Sequence, residues 1–299
     1  MTLETDKSGH VDHAHVDSHT GMATTGHEWD GIRELNTPLP RWWLTILYMT
    51  IVWAFFYCIA YPAIPLFQTF TKGVLGWSAR GSVNEEVAEL RAQRGPMVAA
   101  LSNASLKGIE QTPQLRNFAI AQGKAAFGDN CAPCHGAGGG GSKGFANLND
   151  DDWLWGGTLE QISATLTHGI RAGDDLGHLG AMPAFGRDGI LKANEISVVA
   201  DYVRSLSGLP VTTGADLKTG AKVFAENCAV CHADNGKGNM ELGAPNLTDA
   251  IWLYGPEKAT IVEGLTNGRG GVMPAWAGRL DATTIKALTV YVHTLGGGK

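Results

Sequence analysis

One five-residue pattern occurs twice, as Cys131-Ala-Pro-Cys134-His135 and Cys228-Ala-Val-Cys231-His232. Two thiols three positions apart, followed at once by an imidazole, form the attachment signature of c-type haem. The thiols become thioethers to the two vinyl groups, and the adjacent histidine is placed to bind iron axially. A redox dithiol leaves the histidine and the repetition without a reason. A zinc site needs two more soft ligands per motif at finger-like spacing, and the sequence has none there. Five cysteines and ten histidines in 299 residues do not produce two such matches by chance.

A soft thioether opposite the histidine stabilises ferrous iron and raises the reduction potential. Met182 and Met273 stand in equivalent Met-Pro turns late in each copy, which makes them the candidate distal ligands. His168 and His178 are rivals in the first copy, but neither has a counterpart in the second. Met240 follows His232 too closely to return to the far side of a ring. The spacing leaves open whether each methionine serves its own repeat or the neighbouring one. Iron ligated on both faces leaves no position for a substrate, which points to electron transfer with no catalytic site in this chain. Trp153, Trp155, Trp252, Phe185 and Trp276 are candidates to pack against the rings, with ordinary core packing the equal alternative.

The elements that must position these residues repeat with them. Gly123, Phe127 and Asn130 precede the first motif as Gly220, Phe224 and Asn227 precede the second. Asn147-Leu148 matches Asn246-Leu247, and Trp153-Leu-Trp-Gly matches Trp252-Leu-Tyr-Gly. Met182-Pro-Ala-Phe185 matches Met273-Pro-Ala-Trp276, and helices around Tyr202 and Tyr291 close the two copies. Self-similarity of this kind means two tandem domains of one type, residues 117–210 and 211–299.

Ahead of the repeat the composition changes twice. Residues 1–28 hold His10, His13, His15, His19 and His27 among small polar residues, with no helix or strand period, and read as a disordered His-rich tail. Residues 29–67 contain a charge-free apolar run, Trp42 to Tyr61, that spans about 30 Å as a helix and matches the hydrocarbon thickness of a bilayer. Trp42, Trp43, Tyr57 and Tyr61 resemble interfacial aromatic belts. Cys58 lies within the run as a small apolar residue, which accounts for the odd cysteine. The run has no Asp, Glu, Lys, Arg or His and so offers no obvious proton relay. Residues 68–116 read as a linker or docking arm, with a helix over Val83–Arg94 that stops at Gly95-Pro96. Basic residues flanking the span tie, two against two. Haem c is attached outside the cytoplasm, so the haem domains are expected in the periplasm and the tail in the cytoplasm.

The expected fold is all-α, with one N-terminal transmembrane helix followed by two tandem class I cytochrome c-like haem domains. A net charge of −6 argues against nucleic acid as a partner.

Beyond the two haem motifs, the chain resembles the dihaem subunit III of cbb3-type cytochrome c oxidase, the CcoP/FixP family. The resemblance rests on His27-Glu-Trp-Asp-Gly-Ile-Arg-Glu-Leu-Asn36, Pro38-Leu-Pro-Arg-Trp-Trp43, Tyr61-Pro-Ala63, Gly76-Trp-Ser78 and Asp150-Asp-Asp-Trp-Leu-Trp-Gly-Gly157. It implies a membrane-bound, electron-transferring subunit of a proton-translocating respiratory oxidase in a bacterial inner membrane, taking electrons from a donor cytochrome c. Electrons would pass to the monohaem subunit and then to the haem–copper subunit. It also implies covalent haem at Cys131, Cys134, Cys228 and Cys231, proximal His135 and His232, and distal Met182 and Met273. A proline near the Asn-Leu step helps orient the ligand histidine in related monohaem cytochromes. Pro245 fills that place in the second copy, and Ala146 stands there in the first. Residues 117–210 carry four more acidic than basic side chains, which makes Asp150–Asp152 and Asp174-Asp175 a candidate docking face for a basic donor, with a solvated loop the equal alternative. A free membrane-tethered carrier and a dihaem peroxidase are the competing readings.

Overall fold

Asp30 and Gly31 both take left-handed φ, 50° and 83°, and so close a two-residue hairpin of the type that Asp-Gly favours. The strands they join, β1 (Thr24–Trp29) and β2 (Ile32–Leu35), run antiparallel. This hairpin adds a small two-stranded sheet to the expected all-α fold, and it takes in residues 24–28 of the expected disordered tail. The structure is a computed structural model that describes residues 16–296, so the tail histidines His10, His13 and His15 lie outside the described residues. The chain forms two compact units, Met1–Leu90 and Arg91–Lys299.

In the first unit, Pro40 precedes helix α1 (Arg41–Ala60), which begins one residue earlier than the sequence suggests and buries none of its side chains in protein. A helix apolar all round with no protein cover is built for lipid. The chain then folds back on the helix end. Val74 and Leu75 donate their N–H groups to the Ile59 and Ala60 carbonyls at 2.9 and 3.1 Å, satisfying acceptors that a helix terminus leaves free. Gly73 is required there, since a Cβ would lie 2.4 Å from the Ala60 oxygen.

Helix α2 (Ala79–Asn103) runs through Gly95-Pro96 where the sequence pattern ends it. Gly95 has no Cβ to meet the proline ring, and the helix beyond it buries Leu101 completely. Helices α3 (Leu106–Gln111) and α4 (Pro113–Asn130) follow. Leu101, Ile109 and Leu115 form one core with Ala287 and Val290, so the C-terminal part of the expected linker belongs to the second unit's interior.

The rest of that unit is built from α5 (Ala132–His135), α6 (Leu159–His168), α7 (Ala193–Leu206), α8 (Leu217–Asn227), α9 (Ala229–His232), α10 (Lys258–Asn267) and α11 (Ala282–His293). Their packing does not follow the repeats. Helix α4 of the first copy packs on α11 of the second, while α7 of the first packs on α8 of the second. Both crossings use a glycine for close approach. A Cβ on Gly123 would lie 2.3 Å from the Ala287 oxygen, and one on Gly220 would lie 2.5 Å from the Val198 oxygen. The boundary between 210 and 211 therefore divides the sequence repeats but not the packed cores.

Candidate haem-binding sites

Each Cys-x-x-Cys-His motif continues directly from the helix before it. The Cys131 and Cys228 N–H groups bond to the Phe127 and Phe224 carbonyls, both at 2.8 Å. A single helical turn then carries each chain to His135 and His232. Burial pushes the Cys131 thiol up to about 11, with Cys134 adding to the effect. Cys228 rises to about 11 for the same reason, beside Cys231.

The histidines are oriented from behind. His135 Nδ1 is 2.9 Å from the Ala146 oxygen and His232 Nδ1 is 3.0 Å from the Pro245 oxygen. A carbonyl only accepts, so each Nδ1 carries the proton and each Nε2 keeps the lone pair that iron requires. The contact is made by a backbone carbonyl, and Ala146 supplies it as well as Pro245 does. Burial also draws His232 below its ordinary value, against the pull of the Pro245 bond, which favours the neutral ligand form.

The loops after the histidines match closely. Gly141 and Gly238 donate to the His135 and His232 carbonyls at 2.7 and 2.9 Å. Both glycines have left-handed φ, and a Cβ on either would strike the Phe145 or Ala244 oxygen at 2.6 or 2.4 Å. This requirement locates part of the glycine excess.

The methionines cross over. Met182 packs in the core that holds Phe224, Cys228, Leu247 and Trp252. Met273 packs in the core that holds Phe127, Cys131, Leu148 and Trp153. A cavity lined by Met182, Cys228, Cys231 and His232 brings the second motif together with the methionine of the first repeat. Backbone pairing fixes both arrangements. Met182 and Arg269 exchange N–H···O bonds at 2.9 and 3.1 Å, and Met273 and Ile170 do so at 3.0 and 2.9 Å. Around the second motif, two thiols, an oriented imidazole and a thioether line one largely apolar cavity, a donor set that fits haem c, and the first core pairs Cys131 with Met273 in the same way.

The rival ligands are engaged elsewhere. His168 Nδ1 pairs with Asp174 at 3.0 Å, and His178 Nε2 lies 2.9 Å from the Thr165 hydroxyl. Trp155 stacks on His178, with centroids 4.2 Å apart, and does not join either core. Trp153 and Trp276 enter the first core, and Phe185 and Trp252 the second.

Three family models cover this arrangement. Residues 21–68 match the N-terminal domain of cytochrome oxidase-cbb3, FixP; residues 120–207 match cytochrome c; and residues 215–292 match cytochrome c oxidase, cbb3-type, subunit III. A cbb3-type cytochrome c oxidase subunit FixP from Azorhizobium caulinodans is 64% identical, covering 96% of this chain and 97% of the relative. The FixP subunit of a Bradyrhizobium strain is 62% identical over 97% of this chain and all of the relative. A CcoP subunit from an Azospirillum strain is 52% identical over 95% of this chain and 98% of the relative. The chain belongs to the FixP/CcoP family.

As a FixP/CcoP chain it carries two covalently bound haem c groups. It is an electron-transfer subunit of a membrane-anchored oxidoreductase complex and works alongside other oxidase subunits. Sequence reasoning missed several residues that brace the helices or line the second haem cavity. Asp201 is buried and accepts from Lys258 Nζ at 2.7 Å and from the Thr212 N–H and hydroxyl at 3.1 and 3.0 Å, tying α7 to α10. Arg269 lies over the Tyr254 ring at 3.9 Å within the second cavity. Arg171 lines the same cavity. The repeat comparison hid all of these, because Val290, Ile170 and Gly270 stand at the corresponding places of the other copy.

Proposed function

We propose that the chain relays single electrons from a donor cytochrome c to the monohaem subunit of the oxidase, and through it to the haem–copper oxygen-reducing subunit. In this reading Cys131, Cys134, His135 and Met273 serve one haem, and Cys228, Cys231, His232 and Met182 serve the other. The observation that carries it is the crossed packing, in which each core joins the leading cysteine of one Cys-x-x-Cys-His motif to a methionine from the opposite repeat. Bound haem c supplies one-electron exchange at its iron. The protein's part is to hold the ligands in place and keep the surroundings dry. His135 and His232 are locked by carbonyls, and the thioethers favour the ferrous state. With a histidine and a methionine both held ready for each iron, bound haem would have no ligand position open to peroxide, which disfavours the peroxidase reading.

The haem domains lie in the periplasm and the N-terminus in the cytoplasm, because covalent haem attachment is an extracytoplasmic reaction. Among the described residues, α1 is the one helix long and apolar enough to span a bilayer, and it anchors the chain in the bacterial inner membrane. The acidic excess of residues 117–210 favours a basic donor, with the exposed Asp151 and Asp175 best placed to meet it.

Purification from membranes in mild detergent tests the assignment. A stoichiometric oxidase core with oxygen uptake supported by reduced cytochrome c is expected. A dihaem chain that purifies alone and leaves oxygen uptake in the remaining membranes refutes it in favour of a free carrier. Peroxide turnover by the isolated chain would favour the enzyme reading.

A further inference from the structure

Arg171 takes a left-handed φ of 53°, unusual for a residue with a side chain, at the point where the two methionine segments pass each other. Its own N–H donates to the His178 carbonyl at 2.7 Å, and the preceding Ile170 pairs with Met273. From there the guanidinium reaches both segments at once. Nε donates to the Gly271 carbonyl at 2.6 Å, and Nη1 donates to the Gly180 carbonyl. These two glycines occupy equivalent places, each two residues ahead of its methionine in Gly180-Ala-Met182 and Gly271-Val-Met273. Among the described residues no carboxylate lies within ion-pair distance of Arg171, so the side chain is not held there as half of a salt bridge.

We propose that Arg171 is a positioning residue for both distal methionines, one planar fork holding the two ligand loops at a fixed spacing. The inference rests on the ligand reading given above. A guanidinium presents its Nε and Nη donors in one rigid plane, so the separation of the two carbonyls is set by covalent geometry. A lysine ammonium is a point donor on a flexible stem and imposes no such spacing. The backbone pair Met182–Arg269 already ties the two loops at one end and Met273–Ile170 seats the second methionine, and Arg171 adds a side-chain tie between the loops at Gly180 and Gly271. A disturbance there is felt at both haems together, although each haem has its own ligand set.

The test uses the full chain with both haems attached. The methionine-to-ferric-iron charge-transfer band and both midpoint potentials are measured for the parent chain and for Arg171→Lys and Arg171→Gln. Met182→His and Met273→His assign each band to its haem. The exposed Arg187→Gln serves as a control expected to change neither. Weakened bands at both haems and a fall in both potentials are expected in both Arg171 variants, with the covalent haem content unchanged. Two unaltered bands, or a change confined to one haem, overturn the proposal while leaving the ligand reading intact. A parent chain without the methionine band overturns the ligand reading and this inference with it. Should Arg171→Gln fail to accumulate, Arg171→Lys keeps the charge and decides the question.

Discussion

The Tyr291 ring lies edge-on to the Phe127 ring, with centroids 5.4 Å apart and planes at 62°, although the two residues belong to different sequence repeats. Tyr202 and Phe224 form the mirror pair, also at 5.4 Å. Each core is thus closed by a helix from the opposite copy. Phe127→Ala is expected to cost about 3–5 kcal/mol, since Phe127 is almost fully buried. A double-mutant cycle of Phe127→Leu and Tyr291→Leu is expected to show a coupling of about 0.5–1.5 kcal/mol. The same cycle between Tyr291 and Phe224 is expected to show none. Coupling in the second cycle and not the first, read by denaturant unfolding of the haem-loaded chain, would mean that the repeats pack within themselves.

Gly136 and Ala233 follow the two ligand histidines at φ 79° and 61° with ψ near 155–160°, a region that only glycine enters freely. Alanine at 233 is therefore strained where its counterpart is not. Ala233→Gly is expected to stabilise the folded chain by about 1 kcal/mol, the relief being partly offset by the extra freedom of glycine in the unfolded state. A thermal midpoint that rises by a few degrees with an unchanged haem spectrum meets the expectation. A midpoint that falls sinks it.

The haem motifs, the repeat and the membrane helix are legible in the residues because each is a local pattern with one physical reading. The crossing is not, because Gly123 with Phe127 and Gly220 with Phe224 offer the same surface to either closing helix. The connector decides it. Only residues 207–216 separate α7 from α8, so α7 packs on its sequence neighbour and α4 is left for α11. The Asp30-Gly31 hairpin was readable from its turn residues, whereas Pro96 misled, since burial of Leu101 outweighs one lost helical bond. Arg171 left no trace, because its side-chain partners are backbone carbonyls, which carry no residue-type signal, and one of them lies a hundred residues away.

Burial alone would raise the Asp201 carboxyl, but the Lys258 and Thr212 bonds hold it below the usual carboxylate range. Its contribution to stability is present above the unfolded value of about 4 and is lost as pH falls through the depressed folded value. Asp201→Asn leaves the Lys258 ammonium without its partner and is expected to cost about 2–3 kcal/mol at pH 7, at the low end for a buried pair because Lys258 is partly exposed. The gap between parent and variant should close at acid pH, as followed by chemical unfolding. A gap that is constant from pH 7 down to about 3 would assign the loss to packing instead.

Asp152 behaves in the opposite sense. Burial first, then the neighbouring Asp249 and Asp150, push its carboxyl up to about 6. The unfolded chain ionises it near 4, so the fold loses stability as pH rises from about 4 to 6 and does not regain it above. Asp150 is also raised, chiefly by burial, and within the acidic run only Asp151 is exposed. Asp152→Asn removes the charge that the fold resists and is expected to add about 1–2 kcal/mol at pH 7, discounted because solvent reaches part of the side chain. The gain should vanish near pH 4. Asp151→Lys, by contrast, is expected to leave stability within about 0.5 kcal/mol and to slow reduction by a basic donor cytochrome at low salt. If Asp152→Asn slows that reduction and Asp151→Lys does not, the docking charge lies on the buried side of the run and the surface assignment is wrong.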